Sequence, residues 1–236
     1  MPQLDILQWK ELQYSSQRCQ LPVGRWGHKL VSIGGNRLLM FGGFGGESSE
    51  GHYLDDIWVF DATNFEWEEW HSTGPAPSKR SNYSLHYNES NQEVLMFGGG
   101  SANRQRFGDV WVLSLKNKRW RRIDFGADSA APWERTYHVS ELRYPYLIVQ
   151  GGEAVANMDL DDTWVLHLPS QKWKKLEFTG QTPAARRFHG SVLHQNWLYI
   201  FGGCHENYKL LDDVHRVDLS ALFDSDQSGE GICFEW

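Results

Sequence analysis

The chain has 236 residues, 40% of them hydrophobic, 22% charged and 14% aromatic, a composition that can bury a sizeable core and is unlike a disordered tail. Its 23 lysines and arginines against 30 aspartates and glutamates leave a net charge of −7, which argues against a general electrostatic grip on nucleic acid or anionic lipid. The longest apolar runs, such as Trp197 to Phe201, fall far short of the roughly 18 to 20 residues that cross a bilayer as a helix, so neither nucleic acid nor membrane is expected as a partner.

From the N-terminus, Met1 to Trp9 carry Asp5 and polar glutamines where a secretory signal needs an apolar stretch. The expected location is therefore the cytoplasm, with the nucleus also open to it. Cys19, Cys204 and Cys233 are odd in number and far apart, which fits reduced thiols better than a disulfide framework or a zinc knuckle.

Beyond Pro22 the chain repeats. Pro-x-x-Arg-x-x-His/Tyr occurs as Pro22, Arg25, His28; Pro77, Arg80, Tyr83; Pro132, Arg135, His138; and Pro183, Arg186, His189, with steps of 55, 55 and 51 residues. Each is followed by a hydrophobic run closed by a glycine pair, at Gly42-Gly43, Gly98-Gly99, Gly151-Gly152 and Gly202-Gly203. An acidic marker and strand come next: Asp55-Asp56-Ile57-Trp58, Gly108-Asp109-Val110-Trp111, Asp161-Asp162-Thr163-Trp164 and Asp212-Asp213-Val214-His215. A further tryptophan lies 11 residues past the second position of this marker in three units, at Trp67, Trp120 and Trp173.

The segments between these markers are short, rich in valine, leucine and aromatics, and bounded by glycine, aspartate and asparagine. Each unit is therefore expected to be four antiparallel strands. The glycine pair permits a bend or a close backbone approach. The recurrent tryptophans read as filling between neighbouring sheets.

Glycine pair, spaced aspartate and later tryptophan together resemble kelch repeats of a β-propeller. The resemblance covers Pro22 to the end and implies an all-β fold, with blades of four strands set radially about a channel. It divides a single domain, 1–236, into units of about 22–70, 77–123, 132–176 and 183–236. Residues 1–21 then supply an outer strand of a preceding or closing blade and its connection. Trp9-Lys10-Glu11-Leu12 matches the outer segments Trp67-Glu68-Glu69-Trp70 and Trp173-Lys174-Lys175-Leu176, while Phe234-Glu235-Trp236 reads as the start of another. Either Trp9 to Leu12 closes a ring of four, or the units belong to a longer array; the longer array is the expectation. Ser220 to Gly231, polar, acidic and glycine-containing, reads as a surface loop inserted in the fourth unit.

Catalytic constellations are sparse. Gly42-Gly43-Phe44-Gly45-Gly46 lacks the spacing and the lysine of a phosphate loop. His189 and His194 are five apart, so on a strand they face opposite sides and cannot share a metal. Galactose oxidase shares the kelch-type fold and is a copper enzyme, but nothing in the spacing of Cys204 and Tyr208 marks such a site. The iron-binding pattern of plant kelch specifier proteins is absent as well. No catalytic residue, metal or cofactor is expected; a galactose-oxidase-like enzyme and a purely structural scaffold are the alternatives.

The expected function is a protein-protein interaction module that presents one loop face to a peptide or protein, as a substrate adaptor or scaffold. In kelch substrate adaptors an arginine in a similar Pro-x-x-Arg position contributes to the channel-mouth pocket, which points to Arg25, Arg80, Arg135 and Arg186. Accessible guanidinium forks there would favour acidic peptides. Equally, a residue repeated in every blade can serve the blade itself. Arg104, Arg106, Phe107, His205 and Tyr208 do not repeat, and are candidates for selectivity.

Overall fold

The computed structural model describes residues 11–12, 21–46, 51–126 and 129–224. Trp9 and Lys10, Cys19, Cys233 and Phe234 to Trp236 lie outside them. The described chain is all-β, with antiparallel sheets arranged as the four blades of a β-propeller.

Blade 1 contains β1 (Arg25–Trp26), β2 (Lys29–Ser32), β3 (Arg37–Gly45), β4 (His52–Asp61) and β5 (Glu66–Trp70). Strands β2 to β5 form its ladder, and β1 pairs with the far end of β3. Blade 2 is the meander β6 (Ser84–Asn88), β7 (Glu93–Phe97), β8 (Val110–Ser114) and β9 (Arg119–Arg122). Blade 3 repeats it with β10 (Val139–Arg143), β11 (Tyr146–Glu153), β12 (Asp159–His167) and β13 (Lys172–Lys175). Blade 4 has β14 (Gly190–His194), β15 (Trp197–Phe201) and, after the small hairpin β16 (Cys204–His205) and β17 (Lys209–Leu210), β18 (Val214–Asp218).

Alternation along these strands sends one set of side chains to each neighbouring blade. Leu39, Phe41, Ile57 and Val59 of blade 1 meet Tyr83, Met96, Trp111, Leu113 and Trp120 of blade 2. Leu95, Phe97, Val110 and Val112 of blade 2 meet Leu147, Val149, Leu166 and Trp173 of blade 3. Tyr146, Ile148 and Val165 of blade 3 meet Leu198 and Ile200 of blade 4. Trp58, Trp111, Trp120 and Trp173 are buried, whereas Trp67 and Trp164 are half-buried. Burying one such indole removes about 150–250 Å² from water, a gross stabilisation of roughly 4–6 kcal/mol before entropy is counted.

The expected loop at Ser220 is corrected over its first residues. They form a short helix, α1 (Ser220–Asp224), whose Leu222 and Phe223 are buried with Leu219 in the core between blades 3 and 4. The apolar triplet Ala221-Leu222-Phe223 is the physical reason: one turn of helix buries it, with Asp218 accepting from the Ser220 N–H at 2.8 Å to start the turn.

The glycine pairs stitch the blades. The N–H of Gly43 donates to the carbonyl of Arg80 in the next blade at 2.9 Å, and Gly99 to Arg135 and Gly152 to Arg186 do the same at 2.8 Å. A Cβ on Gly42 would lie 2.9 Å from the Arg80 carbonyl oxygen, so the close approach itself requires glycine. A second series runs nearer the axis: Asn82 N–H to Gly27 carbonyl, Tyr137 to Asn82 and Phe188 to Tyr137.

Candidate partner-binding site at the channel mouth

Inner strands enclose a cavity of about 420 Å³ on the propeller axis, lined by Lys29, Ser84, His86, His138, Ser140 and Ser191 among others. Its walls are hydrogen-bonded between blades: His86 Nε2 to Ser140 Oγ at 2.6 Å and His138 Nε2 to Ser84 Oγ at 3.1 Å. Burial pushes His86 and His189 down to about 4 and His138 well below its ordinary value, with Arg135 and Arg186 adding repulsion at the latter two.

At the entrance to each inner strand sits the repeated arginine, and the structure corrects the expectation that it faces a ligand. Arg80, Arg135 and Arg186 are completely buried, and the side chain of Arg25 is nearly so. Each guanidinium makes two N–H···O bonds to the second acidic position of its own blade: Arg25 to Asp56, Arg80 to Asp109, Arg135 to Asp162 and Arg186 to Asp213. A third bond goes to the carbonyl of the first glycine of the pair, at 3.0–3.1 Å.

The same aspartate accepts the indole N–H of Trp58, Trp111 or Trp164 at 2.7 Å, and in blade 4 His215 Nε2 takes that place at 2.8 Å. Burial opposes ionisation of Asp109 and Asp162. The arginine bonds and charge, helped by the indole, outweigh it and hold both carboxyls below their usual value. These bonds tie the linker before each blade to its second and third strands.

The non-repeating residues divide. Phe107 is buried beneath Arg80, whose Cζ lies 3.9 Å from the ring centroid, so it is also structural. Arg104 is exposed after β7 and forms no ion pair with the described residues. Arg106, His205 and Tyr208 come together with residues that the repeat pattern did not single out. Arg106 and Arg187 both pair with Glu153, the latter at 3.0 Å, and Arg187 also donates to Asp159 at 2.6 Å. Asp159 in turn accepts the backbone N–H of Glu206 at 2.9 Å, fastening the β16–β17 turn, with His205 Nδ1 at 3.9 Å. Burial disfavours the Arg187 cation, but Asp159 and Glu153 more than compensate and raise its pKa. Two arginines and two carboxylates leave this network neutral.

Aromatic rings cover it. Tyr208, 71% exposed, lies over Arg187 with the guanidinium carbon 4.9 Å from its centroid. Phe188, 52% exposed, stacks on Tyr137 with centroids 4.1 Å apart. Trp26, 58% exposed, begins a second aromatic run through Phe44 to Tyr53.

Tyr137 and Phe188 both line the axial cavity and have left-handed backbones, φ 57° and 58°, at the place where blades 1 and 2 have Gly27 and Asn82. Glycine and asparagine adopt that conformation readily, whereas bulky aromatics are outliers there. The sequence signal for this site was available in the two positions after each repeated arginine. Trp26-Gly27, Ser81-Asn82, Thr136-Tyr137 and Arg187-Phe188 vary on an otherwise constant frame.

Radial antiparallel blades, arginine–aspartate struts and a variable loop face around an axial cavity define a kelch-type β-propeller. A model of the KLHDC2/KLHL20/DRC7 Kelch-repeats domain matches residues 44–223, and the chain belongs to this family. It is similar to the leucine-zipper-like transcriptional regulator 1 homolog of Drosophila melanogaster, 27% identical over 90% of this chain and 21% of that protein. It is also similar to the F-box/kelch-repeat protein At1g51550 of Arabidopsis thaliana, 27% identical over 84% of this chain and 46% of the relative. The host cell factor homolog hcf-1 of Caenorhabditis elegans is 26% identical over 72% of the chain and 24% of its own length. The chain thus spans less than half the length of each.

Proposed function

We propose that this chain is a non-enzymatic protein-interaction module that holds a peptide or protein segment at the channel mouth, anchored on Trp26, Phe188 and Tyr208. Kelch-repeat relatives that are regulators and F-box proteins support the interaction role in general. The observation that carries the finer reading is the pair Tyr137 and Phe188, large rings kept in left-handed backbone at an exposed mouth where two other blades have residues suited to that backbone. Strain retained at a solvent-facing position points to use of the side chain, and aromatic anchors are the side chains that dominate binding surfaces.

The neutral Arg106–Glu153–Arg187–Asp159 network favours ring stacking and apolar contact with the partner over capture of an acidic peptide. Peptides selected from a display library on the wild-type protein provide the probe. Tyr208→Ala and Phe188→Asn are expected to weaken the selected peptides tenfold or more by calorimetry, with thermal unfolding little changed. Undiminished binding by both variants would sink this assignment.

A further inference from the structure

In blades 1 to 3 the outer strand ends the ladder, and its outward edge has no partner strand among the described residues. These strands hold their tryptophan at one position and differ around it. β5 contains Glu66-Trp67-Glu68-Glu69, β9 is Arg119-Trp120-Arg121-Arg122 and β13 is Lys172-Trp173-Lys174-Lys175. The same three positions are acidic in blade 1 and basic in blades 2 and 3, so the blade itself does not dictate the sign. In a chain of net charge −7, two neighbouring outer strands of pure cations are a local reversal.

The arginines of β9 are all exposed. Arg121 makes a long, solvent-facing pair with Glu93 at 3.3 Å, whereas Arg119 and Arg122 form no ion pair with a described residue. Trp120 is buried against blade 1, so strand alternation puts Arg122 on that side of the sheet and Arg119 with Arg121 on the side of blade 3. The β8–β9 ladder settles where the backbone groups go. The Ile123 N–H donates to the Val110 carbonyl, and Val112 opposes Arg121. Alternation in an antiparallel ladder then turns the N–H and C=O of Trp120 and Arg122 away from β8, toward solvent.

We infer that β9 is a docking edge for an extended acidic segment of a partner protein, which adds to blade 2 as a fifth strand. Opposite charges across a strand pair stabilise it and like charges destabilise it, so these arginines admit an acidic strand and reject a basic one. An antiparallel segment sets its side chains against Arg122, Arg121, Trp120 and Arg119 in that order, which gives the pattern Glu-Glu-x-Glu. Guanidinium forks suit carboxylates better than the point charges of the lysines on β13, so β9 is the preferred edge. A nucleic acid would also meet cations here, but Trp120 and Trp173 are buried and offer bases no ring to stack on. Nor has it a backbone to pair with the open N–H and C=O groups, which an added peptide strand satisfies. This edge is separate from the channel mouth and does not rest on the function proposed there.

The probe is the capped peptide Thr-Val-Glu-Glu-Val-Glu-Val-Thr, titrated into the wild-type chain by calorimetry. It should bind and slow hydrogen exchange at the Trp120 and Arg122 amides. Arg119→Glu combined with Arg122→Glu should weaken it tenfold or more, with circular dichroism unchanged. The same peptide with lysine for glutamate should not bind. N-methylation of its first glutamate and second valine, the residues opposing Arg122 and Trp120, should also cost tenfold or more, because it removes the pairing donors and keeps the charge. The inference is overturned if the acidic peptide does not bind, or if N-methylation leaves its affinity unchanged, which would make β9 a charged patch without strand addition. It is equally overturned if Lys172→Glu with Lys175→Glu abolishes binding that the arginine variant retains, or if oligothymidylate binds more tightly than the peptide, which would assign the edge to nucleic acid.

Discussion

Arg80 and Asp109 are joined by two N–H···O bonds, 2.6 and 3.1 Å long, with the guanidinium fully buried and the carboxylate nearly so. The pair ties the linker before blade 2 to its third strand, and through the Gly98 carbonyl to its second. Arg80→Ala leaves a buried carboxylate without its counter-charge, and breaking such a pair is expected to destabilise by about 3–5 kcal/mol. Arg80→Lys should recover only part of this, since an ammonium cannot reproduce the planar two-bond fork. Urea denaturation measures both. A loss for Arg80→Ala as small as an ordinary surface substitution, within roughly 0.5 kcal/mol, would contradict the strut role.

Blade 4 has an imidazole where the other blades have an indole. Beside His215 lies a cleft of about 540 Å³ between blades 3 and 4, lined by Gln150, Lys175, Leu198, Ile200 and Val217 among others. His215→Trp would replace the His215 Nε2 contact to Asp213 with the indole N–H donor that Trp58, Trp111 and Trp164 supply in the other blades, and fill part of that space. The variant is expected to raise stability by about 1 kcal/mol, the usual scale for a cavity-filling change. A lowered denaturation midpoint would show that the cleft cannot accept the larger ring.

How much of this was legible beforehand follows from what repetition carries. The markers recur in the order Arg25, Gly42-Gly43, Asp56, Trp58, so the order of strands within a blade could be read directly. Repetition also said that the arginines matter, but not which way they point. Direction depends on the third strand folding back to set Asp109 against Arg80, a contact 29 residues away in sequence. The mouth was harder still: Glu153 and Asp159 face each other across β11 and β12, but Arg106 comes from the blade 2 loop and Arg187 from the linker into blade 4. Only the radial arrangement brings the two arginines to this carboxylate pair. Ser220 to Asp224 misled by composition, since three apolar residues among polar ones are enough for one buried turn.

Acid should loosen the axis before it breaks the struts. His86 and His189 have folded pKa values of about 4 and His138 lies well below 6.5, primarily through burial, so the unfolded chain binds more protons than the folded one below the ordinary value of 6.5. Stability therefore falls as pH drops from about 6.5 toward 4. The carboxyls of Asp109 and Asp162 are depressed, so their contribution is complete above the unfolded value of about 3.9 and disappears only as pH falls through the lower folded values. Urea midpoints measured across this range should decline in the first window, and His138→Gln should flatten that decline. A midpoint independent of pH over the histidine window would refute the assignment of neutral buried imidazoles.

Phe188→Asn separates binding from architecture. Asparagine already occupies the equivalent left-handed position in blade 2, at Asn82 with φ 54°, so the substitution relieves a strain of about 1 kcal/mol. It also removes the stack on Tyr137, worth roughly 0.5–1.5 kcal/mol beyond area burial. The two effects oppose and nearly cancel, and the backbone bond from residue 188 to the Tyr137 carbonyl is retained. Thermal stability should therefore change by no more than about 1 kcal/mol, whereas affinity for a peptide selected on the wild type should fall tenfold or more, a loss of about 1.4 kcal/mol or greater. Large destabilisation with affinity per folded molecule unchanged would make Phe188 a packing residue of the inner ring, and would move the anchor to Trp26 and Tyr208.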